Sequence, residues 1–432
     1  MGLTAAGSKS LRPFIYGVSD LGPASIDIFL KVYLLLYFNI ILGLSPSLTS
    51  LAIGLGVLWD ALIDPWIGVY SDRYYHRQGH RKGIIYVATI AVTVLFFVLW
   101  RIPPGTSEIF LFTFLFVVSS LLNSAISLYS VPYMALANDL ESDNEKRKVW
   151  TAWRLAFLNL GAFVGLSVPA YFLTRDTATA GDLAAPYKIS SAILCVTMMV
   201  CSFTTILYVY RGEQFKPKTL PKEKQKTIRE LVTDKKFLRL MVSYFVVNCG
   251  IGLNSALALY YYKDYLQFSE KQTQTILVGF LTVFTFSIPL WVYLTRKIDK
   301  AKLISYGAFI FGLMTVICFP NFRGIDFWTI FTLAAGLGGV LVGVAVVLEI
   351  YLSDFLQEKE IETAQNVSGQ YLGIWKMSAK ISRAVAIALA GPILEIAGDK
   401  QVLANYFGWG VGLFLMAGAL IMLIPIKQNE ST

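Results

Sequence analysis

Apolar runs of about 20 residues recur along the whole chain, and each is long enough to cross a hydrocarbon core as a helix. Twelve are expected, over residues 14–42, 47–71, 84–101, 108–135, 150–174, 188–210, 238–262, 272–295, 303–320, 327–354, 369–397 and 404–426. The polar residues between them are not evenly shared. Arg73, Arg77, Arg81 and Lys82 follow the second run, and Lys146, Arg147 and Lys148 follow the fourth. Arg296, Lys297, Lys300 and Lys302 follow the eighth, and the longest connection, 211–236, holds eight basic residues from Lys216 to Lys236. The intervening connections carry few, such as Arg101 and Arg323. Positive charge marks the cytoplasmic side. The pattern predicts an all-α, multi-pass membrane protein with twelve transmembrane helices and both termini in the cytoplasm.

The basic connection divides six spans from six. It predicts an N-terminal half over 1–210, a cytoplasmic linker over 211–236 and a C-terminal half over 237–432. Pro217 and Pro221 and the lack of an apolar run suit a linker, with one amphipathic turn at Thr227–Val232. An internal echo links the halves: PWIGVYSDR at 65–73 and PLWVYLTR at 289–296 each close an even-numbered span. Six plus six spans with matched loops resembles the major facilitator fold, in which two halves enclose a midplane site.

Composition narrows the function. Hydrophobic residues make up 56% of the 432 and charged residues only 15%, so no soluble domain is expected beside the spans. The net charge of +9 is used up in the loops, which argues for a lipid bilayer and against a nucleic acid as partner. Cys195, Cys201, Cys249 and Cys318 all fall inside spans, form no CxxC and are expected to pack. Both histidines, His76 and His80, lie outside the spans, which counts against a histidine proton relay. No HExxH, nucleophile elbow or phosphate loop is present, so an intramembrane enzyme is not expected, and neither is a cofactor.

The chemistry concentrates in the second span. LGVLWDALIDPWIGVY at 55–70 has two charges, Asp60 and Asp64, on one helical face. Each carboxylate costs about 2.5–3.5 kcal/mol at a bilayer centre, and the two repel each other. A cation between them, or a proton on one, removes most of that cost. Pro65 gives the helix no N–H, so a carbonyl near Ala61 is left for another partner. The alternative is an acid pair facing water near a helix end.

These residues also carry a resemblance. WDALIDPWIG at 59–68, followed by SDR and GHRK, resembles the glycoside–pentoside–hexuronide:cation symporters, the family of the melibiose carrier, to which sodium-dependent lysophosphatidylcholine symporters are related. VPYMALANDLESDNEKRK at 131–148, Arg154 with Gly161, and Lys380 ahead of Gly398 extend it over most of the chain. The resemblance implies that Asp60 and Asp64 bind the coupling ion, sodium or a proton, with Ser127 and Ser130 on the facing span. It departs from the melibiose carrier at Ser130 and Ala24, where that carrier has aspartates.

Other charges inside spans are read singly. Asp27 either replaces the acid missing at Ala24 or neutralises Lys31 one turn on. Asp20 is expected near the cytoplasmic end, solvated. Lys376, Lys380 and Arg383 share a face of span 11, where Lys376 and Arg383 either reach opposite interfaces or face a cavity. Arg154 either clamps a substrate oxygen or locks a gate against Asp139 or Glu141, and Glu349 is expected in a gate ion pair. Trp375, Tyr371 and Tyr260–Tyr262 either stack on a sugar or pack structurally.

The combined expectation is a cation-coupled symporter, functional as a monomer, for a small-molecule substrate. Asp60, Asp64, Ser127 and Ser130 hold the ion, and Asp27, Arg154, Lys376, Lys380 and Trp375 frame the substrate. Lys380 compensates the bare carboxylates when the ion leaves. A sugar, glycoside or uronide is the first choice. A lysolipid is the alternative, suited by Pro23 and Ala24, and a non-transporting sensor is the alternative of another class.

Overall fold

The computed structural model describes residues 3–140, 144–174, 183–209, 234–363, 368–396 and 400–424. It is built of helices: α1 (Leu3–Val18), α2 (Leu21–Leu36), α3 (Pro46–Gln78), α4 (Lys82–Leu99), α5 (Glu108–Leu140), α6 (Asn144–Leu173) and α7 (Ala185–Val209), then α8 (Lys235–Tyr260), α9 (Glu270–Leu294), α10 (Lys300–Cys318), α11 (Phe327–Thr363), α12 (Ser368–Ile396) and α13 (Lys400–Leu423). Among the described residues these supply twelve helical spans long and apolar enough to cross a membrane. The fold is the expected all-helical, twelve-span one. Most of the linker, 210–233, lies outside the described residues, with its expected turn at Thr227–Val232.

The chain separates into two compact units, Met1–Pro221 and Lys222–Thr432. In the first, α3 packs on α5, α2 on α6 and α4 on both α5 and α7. In the second, α10 packs on α13, α9 on α11, and α8 on α12 and α13. Each unit has an aromatic core. Trp100, Tyr37 and Tyr187 cluster with Phe29 in one, and Tyr261, Phe319 and Phe407 in the other.

Helix ends follow local chemistry. Ser45 caps α3 through Leu48 N–H, with Pro46 at the first helical position where its missing N–H costs nothing. Gly79 ends α3 at φ 72°, a conformation open to a residue without Cβ. Ser269 and Gln272 form a capping box on α9.

Span 1 differs from the single helix expected. It breaks at Ser19–Asp20, between α1 and α2, and ends in one wide π-helical turn at Tyr37–Ile41. Side chains replace the helix bonds at the break. Thr205 Oγ1 donates to Ile15 O (2.7 Å), Tyr133 Oη to Tyr16 O (2.6 Å) and Tyr129 Oη to Ser19 O (3.3 Å). Inside a membrane, such a break is tolerated where protein supplies these partners.

Candidate functional site

α3 carries the acid pair through an unbroken helix that includes Pro65. Gly56, one turn before Asp60, lies so close to α5 that a Cβ would stand 2.6 Å from Ser119 Oγ. Small residues permit this approach. It brings Ser127 of α5 to Asp60: Ser127 Oγ donates to Asp60 Oδ1 at 2.8 Å, and both residues are buried. Asp64 follows one turn later, half-buried. Ser130 is also half-buried and makes a long 3.5 Å contact to Ser127 O. On the same side Trp59 Nε1 donates to Ser124 Oγ (3.1 Å). The arrangement offers hard oxygen donors only, two carboxylates and hydroxyls, of the type that suits a hard cation.

The remaining expected residues scatter. Asp27 and Lys31 form an ion pair one turn apart on α2, the self-neutralising arrangement. Asp20 is not solvated as expected. It is half-buried at the break in span 1, its Oδ2 buried and 3.7 Å from Arg154 Nε. Arg154 thus pairs across helices with an acid far away in sequence. The side chain of Asp139 and all of Glu141, its expected partners, lie outside the described residues. The signal for Asp20 was available: a Ser-Asp step inside an apolar run, with tyrosines on a later span to serve the freed carbonyls.

In the second unit, Glu349 makes no ion pair among the described residues, where a gate ion pair is expected. It accepts a hydrogen bond from Trp375 Nε1 (2.9 Å). Trp375 is buried and its ring is covered by Tyr244, with centroids 3.5 Å apart and planes 17° apart. That face is filled by protein, not open to a sugar. Tyr260, Tyr261 and Tyr262 are buried as well, and Tyr261 Oη donates to Phe319 O (2.6 Å). On α12, Lys376 is exposed while Lys380 and Arg383 are half-buried.

Known proteins share this organisation. The chain is 23% identical over 410 residues to the sodium-dependent lysophosphatidylcholine symporter 1-A of Danio rerio, covering 87% of this chain and 75% of that one. It is 25% identical over 311 residues to the sphingosine-1-phosphate transporter MFSD2B of Xenopus tropicalis, covering 65% and 58%. Its fold matches that of a bacterial homologue of the human drug peptide transporters PepT1 and PepT2, with TM-score 0.69, 11% identity and coverage of 96% and 97%. The model of the MFS/sugar transport protein family matches residues 15–424. That match runs from the first span through the last, and it places this integral membrane protein in the MFS/sugar transport protein family.

Proposed function

We propose that the protein is a sodium-coupled symporter of an amphiphilic, lysolipid-like substrate. The observation that carries the coupling is the Asp60–Ser127 contact at 2.8 Å with Asp64 one turn along the same helix. Two carboxylates in an apolar span are costly when bare. Sodium bound by Asp60, Asp64, Ser127 and Ser130 offsets their repulsion, and its departure restores it. Substrate binding and sodium binding therefore favour the same loaded state, while the site opens to one side of the membrane and then the other. The basic loops support cytoplasmic termini, and a monomer is the working unit in this reading.

The choice of substrate reverses the first expectation. Relatives named for lysophosphatidylcholine and sphingosine-1-phosphate favour an amphiphile over a sugar. The filled face of Trp375 and the buried Tyr260–Tyr262 run support the same choice, since they leave no stacking platform among these residues. Arg154 is assigned to the anionic part of the headgroup. Lys376 and Lys380 are substrate-side candidates of the second unit. A glycoside carried by a melibiose-carrier-like member of the family is the second reading, supported by the WDxxxDP element and the adjoining basic loop.

The test is uptake into proteoliposomes under an imposed sodium gradient, with lysophosphatidylcholine and melibiose as separate substrates. Accumulation of the lysolipid that follows the sodium gradient and ignores excess melibiose is expected. Sodium-driven melibiose uptake would establish the sugar reading. Lysolipid binding without flux under any gradient would indicate a sensor.

A further inference from the structure

The break in span 1 holds another acid, the half-buried Asp20, that the ion site does not use. α6 is pressed against both sides of that break. A Cβ on Gly17 would meet the Trp153 backbone at 2.7 Å, and Cβ atoms on Gly161 and Gly165 would meet Leu21 O at 2.5 Å and Ser25 O at 2.2 Å. This seam fixes Arg154, the residue after Trp153, beside Asp20. Their side chains are only 14% and 18% exposed. Asp20 stands at the N-terminus of α2 but makes no capping bond with its side chain. Its Oδ2 and the Arg154 Nε are both buried, and neither has a hydrogen-bond partner. The pair touches at 3.7 Å as charge against charge, without the short hydrogen bonds that a carboxylate and a guanidinium form when matched.

A structural ion pair whose facing atoms are both buried normally closes its hydrogen bonds, because the cost of taking those atoms out of water is otherwise poorly met. A guanidinium held with donors unspent is prepared for a better acceptor. Its planar fork fits the oxygens of a phosphate or sulfonate in pairs. We propose that Asp20 is a resident counter-ion that competes with an anionic group of the substrate for Arg154, so that occupancy by the anion and protonation of Asp20 are linked. The inference rests on the transport reading above and adds a specificity-determining residue to it.

Linkage sets the sign. Three charges in this space, Asp20, Arg154 and a bound anion, leave one negative charge unmatched. Binding the anion therefore favours a proton on Asp20, and lowering the pH favours the anion. The other titratable groups facing Asp20 are Tyr16 of α1 and Tyr129 and Tyr133 of α5, and α7 contributes the hydroxyls of Ser202 and Thr205. The tyrosine hydroxyls are committed: Tyr133 to Tyr16 O, Tyr16 to Tyr133 O at 3.2 Å, and Tyr129 to Ser19 O. Asp20 is the group left to take the proton.

The experiment uses the full chain in nanodiscs, with hexanesulfonate as the anion and hexyl glucoside as the neutral control. Hexanesulfonate keeps its charge from pH 5.5 to 8. The readout is protection of Arg154 from phenylglyoxal, followed by peptide mass spectrometry as a protecting concentration at each pH. Hexanesulfonate is expected to protect Arg154, and hexyl glucoside is not. The protecting concentration should fall as pH falls. In Asp20→Asn it should be about tenfold lower than wild type at pH 8 and independent of pH, and Asp20→Glu should restore the wild-type dependence. Equal protection by the glucoside, or a pH-independent protecting concentration in the wild-type protein, would overturn the proposal, and the latter needs no variant to fold. The result is separate from the uptake test. Protection as expected without sodium-driven lysolipid uptake removes the function proposed above and leaves the Asp20–Arg154 exchange. Uptake without linked protection does the reverse.

Discussion

The two units repeat one scaffold and differ in where they place acids. Tyr37 in the first and Tyr261 in the second each open a π-helical turn that ends an odd-numbered span. Tyr37 Oη donates to Trp100 O (3.2 Å) and Tyr261 Oη to Phe319 O (2.6 Å), in each case near the end of the helix two spans on. Leu44 N bonds Phe38 O, and Phe268 N bonds Tyr262 O. Ser45 and Ser269 then cap the next helix, and Pro65 and Pro289 lie within it. One sequence separation relates Tyr37 to Tyr261, Phe38 to Tyr262, Leu44 to Phe268, Ser45 to Ser269 and Pro65 to Pro289, while the acceptors Trp100 and Phe319 depart from it. Under it, Asp60 and Asp64 correspond to Phe284 and Ile288, and Asp20 to Tyr244. In the first unit Asp20, Asp60 and Asp64 sit inside spans. In the second, Asp234, Asp354 and Glu358 lie toward helix ends against Lys359, Lys300 and Lys236, and Glu349 lies inside a span bonded to Trp375. The scaffold is shared, while the acid pair proposed to couple the ion stands on one copy of it.

The largest effect should come from removing the acid pair, whose positions in the second unit hold Phe284 and Ile288. Sodium at about 100 times its Kd stabilises a one-site binder by roughly 2.7 kcal/mol. Asp60→Asn and Asp64→Asn should lose that melting shift and the sodium-driven accumulation, while Phe284→Ala and Ile288→Ala keep the shift. A sodium response that survives in both aspartate variants would mean that the acid pair is structural. Next in size is Ser127→Ala, which deletes a hydrogen bond to a buried carboxylate. Such bonds contribute about 1.5–3 kcal/mol, so the sodium concentration for half-maximal response should rise about tenfold. An unchanged titration would remove Ser127 from the site.

The shared part of the scaffold makes a smaller and more even prediction. Tyr37→Phe and Tyr261→Phe each delete one hydroxyl bonded to a carbonyl in an aromatic cluster. Each should cost about 1 kcal/mol of stability with little change in coupling. A loss of sodium response in Tyr261→Phe but not in Tyr37→Phe would break the comparison, because it would tie the second unit to the ion.

What the sequence made legible follows from the range of each interaction. The twelve spans needed only runs of apolar residues, and the observed helices begin and end within a few residues of those runs. The Asp60–Asp64 face needed only the helical repeat, and Ser127 could be matched to it by family resemblance. The break at Ser19–Asp20 leaves a local trace, a Ser-Asp step inside an apolar run, but its partners are not local. Its carbonyls are met by Tyr129 and Tyr133, more than 100 positions away, and its charge by Arg154. The sequence offers Arg154 either a substrate oxygen or the nearby Asp139 or Glu141, and not the distant Asp20. The aromatic runs were ambiguous for the same reason. Tyr261 and Trp375 look alike as a sugar platform or a core, and only the partners Phe319, Phe407 and Tyr244 separate the two.

The smallest expected effect tests the acids of the second unit, where charge supports the ends of helices. Asp234 caps α8 through the N–H groups of Lys236 (2.9 Å) and Phe237 (3.2 Å), and Lys359 Nζ reaches its other oxygen at 2.9 Å. Partial burial by itself would raise the carboxyl's pKa. The bond from Lys359, those backbone bonds and the lysine's charge outweigh it and hold Asp234 below the ordinary carboxylate range. A depressed pKa in the folded state stabilises above the unfolded value, and that support is lost as pH falls through the folded value. Melting temperature should therefore drop on acidification below the usual carboxylate range. Asp234→Asn should lose the lysine pair while keeping an N-cap oxygen, at a cost within the roughly 0–1 kcal/mol of a partly exposed pair, and it should flatten that part of the pH profile. Its sodium response should match wild type. A variant that keeps the wild-type acid profile would show that the pair adds nothing at this helix end, and a variant that loses sodium response would extend the coupling machinery into the second unit.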